Sequence, residues 1–228
     1  MPRRPAPGRT VLEFGGRGGR PLTVLCLGAH ADDIEIGCGG TLLTLARRSP
    51  RMRMSWVVFS GTPVRAAEAR QSGAAWLGGG RAAVVTTHAF RESYFPAEFA
   101  MIKDEMQALA ARLAPDLVLT HSRADRHQDH RVISDLTWNA FRDSTILEYE
   151  IPKWDGDLGA PNLFQPVSRV VLERKLRLLN RHFKSQRAKD WFDPATFRGL
   201  ARVRGMECRS PSGFAEAFYA RKLTLAPG

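Results

Sequence analysis

Histidine and aspartate recur in two short clusters of the sequence. Imidazole and carboxylate are the nitrogen and oxygen ligands that a catalytic Zn²⁺ uses, typically three of them with another position left open for water. His30 and Asp33 can converge on one ion across a turn. The two later histidines, three residues apart, share one face if they are helical, and spacing alone does not tell which of them is the ligand. The clusters read His30-Ala31-Asp32-Asp33 and His127-Gln128-Asp129-His130.

Each cluster alone is weak evidence for a metal site, because a His-x-Asp-Asp run occurs often by chance and carboxylates commonly cap helices. Both clusters, however, follow segments predicted as parallel strands, and their ligand types complement each other. The carboxyl ends of parallel strands meet at one edge of a sheet, where ligands bind in open α/β folds. Together the two clusters therefore predict a metal site at that edge.

Short apolar runs alternate with helix-forming segments along most of the chain. The run before the first cluster is of the kind buried in a parallel sheet. Repeated strand and helix signals at this spacing predict βαβ units, hence an α/β fold with a mostly parallel sheet and helices on both faces. The predicted strands are 22–28, 54–59, 82–86, 116–120 and 146–151; the predicted helices are 41–48, 64–77, 97–113, 127–141 and 168–188; a turn-rich loop is predicted at 152–161 and a last strand or helix at 214–223.

Length and composition favour one globular domain. The chain has 228 residues, of which 43% are hydrophobic and 25% charged, as in ordinary folded proteins. We predict a flexible basic tail over residues 1–20 and a single domain over residues 21–228. No apolar run is long enough to span a bilayer, and the first residues lack a signal-peptide hydrophobic region, so a cytoplasmic protein is expected. The three cysteines form no CxxC pair, which argues against a disulfide framework or a cysteine-built zinc site.

The formal net charge of +11 is concentrated in two segments. Residues 1–20 hold five arginines against one acid, and residues 169–204 hold eleven lysines and arginines against three acids. Such a field favours anionic partners, for example a phosphorylated substrate, a nucleotide-sugar or an acidic lipid, but a solvated basic helix face is the simpler explanation and the one we favour. No nucleic-acid-binding motif accompanies the charge, so nucleic acid is not expected as a partner.

The motifs resemble a known family. Residues 28–37, GAHADDIEIG, resemble the AHPDD-x-x-x-G signature of the LmbE-like, or PIG-L, N-acetylglucosaminyl deacetylases, and residues 127–130 match their later H-x-D-H. Residues 215–218 resemble the family's terminal AEAF, and the resemblance covers about residues 21–223. Ala31 stands where the family usually has proline. This difference removes no metal ligand.

The resemblance implies a Rossmann-like three-layer sandwich and one zinc ion held by His30, Asp33 and His130. It also implies that Asp32 is the general base and that His127 lies beside the metal as a positively charged stabiliser of the oxyanion. The implied reaction is hydrolysis of an N-acyl group, usually acetyl, from an amino sugar or a similar small glycoconjugate.

Other residues are assigned more loosely. Arg65 and Glu68 resemble the family's R-x-x-E, which implies that Arg65 binds substrate hydroxyls or a phosphate. Glu92 follows the third predicted strand, where relatives often offer an aspartate to the substrate. Asp129 is predicted to orient an imidazole, with helix initiation as the alternative, and Asp125 stands where some relatives have a tyrosine. The remaining histidines are predicted to be structural: His88, His121 and His182.

The sequence is compatible with two other functions, and it disfavours both. A nucleotide-dependent enzyme is disfavoured, because the glycines after the first strand do not form G-x-G-x-x-G and the carboxylates at 32–33 stand where a pyrophosphate needs bare amides. A non-enzymatic binder of anionic partners would use the basic surface alone. The sequence leaves open the sugar, the acyl group, any attached nucleotide, phosphate or lipid, and whether the chain forms a homo-oligomer.

Overall fold

The computed structural model describes residues 12–77 and 83–224, and within them the chain forms one seven-stranded sheet covered by helices. The strands are β1 (Thr23–Gly28), β2 (Arg53–Ser60), β3 (Ala83–Phe90), β4 (Leu117–His121), β5 (Thr145–Tyr149), β6 (Leu163–Pro166) and β7 (Ala215–Tyr219). The helices are α1 (Asp33–Arg48), α2 (Pro63–Leu77), α3 (Phe99–Arg112), α4 (Gln128–Ala140), α5 (Arg169–His182) and α6 (Pro194–Glu207). Strands β1 to β5 run parallel, and β7 runs antiparallel to both β5 and β6. The predicted α/β fold with a mostly parallel sheet is confirmed.

The strand order, β3-β2-β1-β4-β5-β7-β6, places the two histidine clusters next to each other. From β1 the chain moves outward to β2 and β3, and it then crosses back to β4 on the other side of β1. Cys26 of β1 lies opposite Leu119 of β4, so the two strands end at the same edge of the sheet. The chain connections that follow β1 and β4 leave in opposite directions, and at such a topological switch point the loops open a crevice beyond the ends of the two strands.

The sheet separates two apolar layers. Along β1, Val24 and Cys26 point into the layer beneath α1, α2, α5 and α6, whereas Leu25 and Leu27 point into the layer beneath α3 and α4. This alternation follows from the two-residue period of a strand, and it explains why β1 is apolar at every position. In the described part of the chain, each helix is too short or too polar to cross a membrane.

Helix α1 begins at Asp33, eight positions before the helix predicted at 41–48, and it runs through three glycines. A Cβ on Gly37 would lie 2.2 Å from Cδ2 of Tyr149, and one on Gly39 would lie 2.7 Å from Cζ2 of Trp76. These glycines therefore allow two large buried rings to pack against the helix backbone. The sequence suggested a helix break, because glycine lowers helix propensity, but tertiary packing overrides that preference.

Strand β6 and helix α6 were not predicted. Helix α6 carries a start signal, since the Asp193 carboxylate caps it by accepting the N–H groups of two following residues and Pro194 occupies its first turn. The helix predicted at 168–188 ends at His182, and a 3₁₀ turn follows it. The last predicted segment is a strand, β7. The predicted start of the third strand, residue 82, lies outside the described residues.

Part of the predicted tail is attached to the domain. Residues 1–11 lie outside the described ranges. Phe14 packs against the apolar layer beneath α1, and Nη2 of Arg20 donates to Oδ1 of Asp116 at 2.8 Å. The end of the segment predicted as a tail therefore contributes contacts to the fold.

A buried carboxylate ties β7 to α1 and α5. Glu216 accepts hydrogen bonds from the backbone N–H groups of Gly40 and Thr41, at 2.7 and 2.6 Å. Its Oε1 also lies 2.6 Å from Nζ of Lys175, and both side chains of this ion pair are about 5% exposed. Because each charge is compensated only by its partner and by nearby dipoles, removing one partner leaves a buried charge without compensation.

We expect Glu216→Ala to lower the free energy of unfolding by about 3 to 5 kcal/mol, measured by denaturant titration. The matched control is Glu173→Ala, since Glu173 pairs with Arg198 at 2.9 Å but the two side chains are 39% and 42% exposed. An exposed pair contributes about 0 to 1 kcal/mol. Equal losses in the two variants would show that the buried pair has no special role in stability.

Candidate active site

The two clusters meet in the crevice beyond β1 and β4. Strand β1 ends at Gly28 and α1 begins at Asp33, so residues 29–32 form the turn that enters the helix. Strand β4 ends at His121, and the chain passes through a short loop to His127, which is the N-cap of α4. The sheet order and these turns bring the clusters into contact. The buried side chains among them are His30, Asp32, Asp33, Asp129 and His130.

Three potential ligand atoms converge on one point. Nδ1 of His30 lies 3.1 Å from Nε2 of His130 and 3.3 Å from Oδ2 of Asp33. Nε2 of His130 lies 3.6 Å from the same oxygen of Asp33. Ligands at about 2.0 to 2.2 Å from a tetrahedral zinc ion are about 3.3 to 3.6 Å from one another, so the donor types and separations of these residues fit such an ion.

The electrostatics of this point also suit a cation. Burial lowers the pKa of His30, but Asp33 and Asp129 raise it more, to about 10. Burial and the neighbouring His121 lower the pKa of His130 to about 3, so this imidazole is neutral at pH 7. Burial raises the pKa of Asp33, but the surrounding histidines hold it well below its usual value. A pocket that favours a proton on His30 favours a positive charge, which a metal ion would also supply.

Asp129 orients His30. Its Oδ2 lies 3.2 Å from Nε2 of His30, which leaves Nδ1 directed at the convergence point. Its two oxygens also accept the backbone N–H groups of Ser93 and Phe95, at 2.6 and 3.1 Å. The carboxylate therefore links the loop after β3 to His30, in keeping with the orienting role rather than with helix initiation alone.

Asp125 orients His130, a contact that sequence reasoning missed. Its Oδ2 lies 2.9 Å from Nδ1 of His130, so that nitrogen carries the hydrogen and Nε2 keeps a free lone pair. Burial raises the pKa of Asp125, but the hydrogen bond from His130 lowers it by more, so this pKa lies below its usual value. Oδ1 of Asp125 is 3.0 Å from Nζ of Lys153, in the loop after β5. The only sequence signal was the position of Asp125 two residues before His127.

His121 lies inside the site, although it was predicted to be only structural. Its ring stacks on His130 with centroids 3.9 Å apart, and its Nε2 is 3.2 Å from Oδ2 of Asp33. The same nitrogen accepts the backbone N–H of Ala29 at 3.0 Å. The lone pair of Nε2 in His121 is therefore already engaged in a hydrogen bond. The potential ligand atoms of Asp33, His121 and His130 nevertheless lie close enough to one another to hold a metal ion. His88 stacks on Phe59 away from these ligands.

His127 belongs to another such set, with His30 and His130. Its ring is half-buried and lies 4.8 Å from the His30 ring, centroid to centroid. Nδ1 of His127 accepts the backbone N–H of Asp129 at 3.2 Å, so Nε2 is the nitrogen that carries a hydrogen. Burial and the charge of His30 lower the pKa of His127. A lowered pKa favours the neutral imidazole of His127, with Nε2–H as a hydrogen-bond donor, whereas the family resemblance implied a positive charge.

Asp32 presents a carboxylate oxygen without a partner. Its Oδ1 accepts from Nη2 of Arg65 at 2.8 Å, whereas Oδ2 is buried and has no hydrogen-bond partner among the residues that the structure describes. Burial raises the pKa of Asp32, and this effect outweighs the opposite effect of Arg65. A raised pKa increases the proton affinity of a carboxylate, as general base catalysis at neutral pH requires.

Arg65 connects Asp32 to Glu92. The Arg65 side chain is 10% exposed, and its Nη1 lies 3.0 Å from Oε2 of Glu92. The Glu92 side chain is 43% exposed and so faces the open side of the crevice. The structure thus brings together both residues that were predicted to bind substrate.

Comparison with known proteins identifies the family. Residues 25–141 match the family model PIG-L, described as GlcNAc-PI de-N-acetylase. The chain is 30% identical over 172 residues to the uncharacterized deacetylase YaiS of Escherichia coli (strain K12), an alignment that covers 70% of this chain and 89% of YaiS.

Solved structures show the same fold at lower identity. N,N'-diacetylchitobiose deacetylase from Pyrococcus horikoshii superposes with a TM-score of 0.65 at 21% identity, covering 86% of this chain and 82% of that one. The 4-carboxy-2-hydroxymuconate hydratase GalB of Pseudomonas putida superposes with a TM-score of 0.71 at 15% identity, covering 91% and 99%. The fold alone therefore does not decide the reaction. On the family match and the YaiS alignment, with the motifs at 30–33 and 127–130, the chain belongs to the PIG-L family.

Proposed function

We propose that this protein is a zinc-dependent N-deacetylase that removes an acyl group, usually acetyl, from an amino sugar or a similar small glycoconjugate. The observation that carries the proposal is the convergence of His30, Asp33 and His130 on one point beside the unpartnered oxygen of Asp32. The family match and the sugar deacetylase among the structural neighbours support the substrate class.

The proposed zinc ligands are Nδ1 of His30, Oδ2 of Asp33 and Nε2 of His130. When bound there, zinc would supply Lewis acidity, which lowers the pKa of a water molecule and polarises the acyl carbonyl. Asp129 and Asp125 hold the two imidazoles in the tautomers that this role requires.

Asp32 is the proposed general base. Its Oδ2 takes the proton of the attacking water, and the resulting carboxylic acid returns that proton to the nitrogen of the leaving amine. The guanidinium of Arg65 holds the opposite oxygen at 2.8 Å and so fixes the orientation of the carboxylate through both steps. Burial keeps the proton affinity of Asp32 high enough to accept the proton.

His127 is the proposed donor to the oxyanion. Nδ1 is engaged by the helix backbone, so the ring is fixed and Nε2–H is the group that can donate. One such preorganised donor typically contributes about 3 to 4 kcal/mol to the transition state. Arg65 and Glu92, at the open side of the crevice, are proposed to contact the hydroxyl groups of the sugar.

The decisive experiment is an assay of released acetate across N-acetylated monosaccharides, oligosaccharides, and their nucleotide and lipid conjugates. It is run on zinc-loaded protein and on protein stripped with a chelator. We expect release from at least one sugar class with the loaded protein only, restored when zinc is added back. Acetate release that survives chelation would exclude the metal mechanism, and no release from any conjugate would overturn the proposed function.

A further inference from the structure

Lys153, in the loop after β5, is a nearly buried lysine. Its side chain is only 10% exposed, and lysine is rarely buried unless it is paired. Two carboxylates account for its burial. Nζ of Lys153 lies 3.0 Å from Oδ1 of Asp125 and also contacts Oδ2 of Asp157, and the side chains of these two acids are 3% and 6% exposed. One ammonium group therefore compensates two carboxylates.

A turn at Gly156 brings Lys153 and Asp157 together. Gly156 has a φ of +61°, in the left-handed region that favours glycine. The chain reverses there, so the Asp157 carboxylate meets the ammonium of Lys153 four residues earlier. The same carboxylate accepts the backbone N–H of Arg126 at 2.7 Å. The loop after β5 is thus fastened to the loop before α4, which carries Asp125.

The two oxygens of Asp125 have separate partners. Oδ1 accepts the backbone N–H of His127 at 2.8 Å and contacts Lys153, whereas Oδ2 lies 2.9 Å from Nδ1 of His130. The first set of contacts holds the carboxylate in the orientation that the second one needs. Without the ammonium, Asp125 and Asp157 would be two neighbouring buried carboxylates, and their repulsion would displace the Asp125 side chain.

The orientation of Asp125 matters because it selects the tautomer of His130. A neutral imidazole carries one hydrogen, and Nε2 can bind a metal only when that hydrogen is on Nδ1. The Asp125 carboxylate accepts the hydrogen on Nδ1 and so favours this tautomer. When the carboxylate is displaced, the hydrogen can move to Nε2 and block the proposed ligand atom.

We infer that Lys153 is a positioning residue of the metal site, which acts through Asp125 to keep His130 in the tautomer that can bind zinc. The inference rests on the proposed function for the identity of the ligand. The tautomer itself is a property of the zinc-free chain, so it can be measured without any assay of the reaction.

The test combines nitrogen NMR of the histidine rings in the zinc-free full chain with competition for zinc against a calibrated chelator. We expect wild-type His130 to carry its hydrogen on Nδ1. In Lys153→Met we expect a mixture of tautomers and zinc binding weakened roughly 10-fold, the lower end of the range for residues behind a ligand. Lys153→Arg should restore most of both, because a guanidinium also donates to two carboxylates. The His130 signals are assigned by their loss in His130→Ala.

The matched control is Arg131→Met. Nη1 of Arg131 donates to the backbone oxygen of Asp125 at 3.2 Å, so this variant removes a cation from the same loop without touching the carboxylate. It should leave the tautomer and the zinc affinity unchanged. Equal effects of Arg131→Met and Lys153→Met, or no effect of Lys153→Met, overturn the inference. If Lys153→Met does not fold, Lys153→Gln carries the same comparison.

The two measurements separate this inference from the proposed function. A changed tautomer and weaker zinc binding in Lys153→Met, with no acetate release from any sugar by the wild type, would keep the positioning role and refute the deacetylase. Acetate release by the wild type, with the tautomer and zinc affinity of Lys153→Met unchanged, would keep the deacetylase and refute the positioning role.

Discussion

Asp32→Asn is expected to keep stoichiometric zinc and to lower kcat at least about 100-fold, because removal of a general base typically costs about 10² to 10⁴ in rate. Asparagine has nearly the shape of aspartate, and its side-chain oxygen can still accept from Nη2 of Arg65. It cannot take a proton from water at neutral pH. The measurement is the kcat for acetate release beside the zinc content of the same preparation.

The matched control for Asp32 is Asp135→Asn. Asp135 is an exposed carboxylate on α4 that lies 3.4 Å from Arg123, and its replacement should leave kcat and zinc content within experimental error. If Asp32→Asn keeps full turnover, Asp32 is not the base. If it loses zinc as well as turnover, Asp32 acts on the metal and not on the proton.

His130→Ala is expected to abolish acetate release because it should weaken zinc binding at least about 100-fold. The variant removes one of three ligand atoms, whereas loss of a residue that merely orients a ligand costs about 10-fold to 100-fold. Asp125→Asn should weaken zinc binding by that smaller factor. Asp125 contacts Nδ1 of His130 and therefore affects the metal only through that ring. The measurement is competition between the protein and a calibrated chelator, with zinc quantified by elemental analysis.

His182→Ala is the control for these metal titrations, since His182 lies at the end of α5 and should leave zinc affinity unchanged. The alternative ligand sets are tested in the same titration. Should His127→Ala release zinc while Asp33→Ala retains it, or His121→Ala release zinc while His30→Ala retains it, the ligands proposed here would be wrong and one of the other two sets would hold the metal.

The basic segment at 169–204 carries less surface charge than its composition suggests. Lys175 is buried against Glu216, and Arg204 is buried against Glu150 at 2.6 Å. These two cations stabilise the interior and contribute little to an external field. Exposed arginines remain along the outer face of α5, at Arg174, Arg177 and Arg181. A count of charges in a sequence cannot distinguish these two groups, because burial depends on distant acids.

The sequence by itself determined the alternation of strands and helices, the parallel sheet and the residue types of the two clusters. These features are local, since strand and helix periods and short motifs are readable over a few residues. It also identified Asp129 as a candidate for orienting an imidazole and Arg65 as a residue of the crevice. It failed at α1, where Gly37 and Gly39 suggested a break but make room for Tyr149 and Trp76.

Only the tertiary structure decided which atoms meet. The order β1-β4 places His30 beside His130, and it brings His121 into the site although its own sequence neighbourhood carries no motif. The contacts of Asp125 with His130 and with Lys153 depend on how two loops fold over the edge of the sheet. Such contacts join residues distant in sequence, and the pairing is set by packing of the whole domain, which no local pattern encodes.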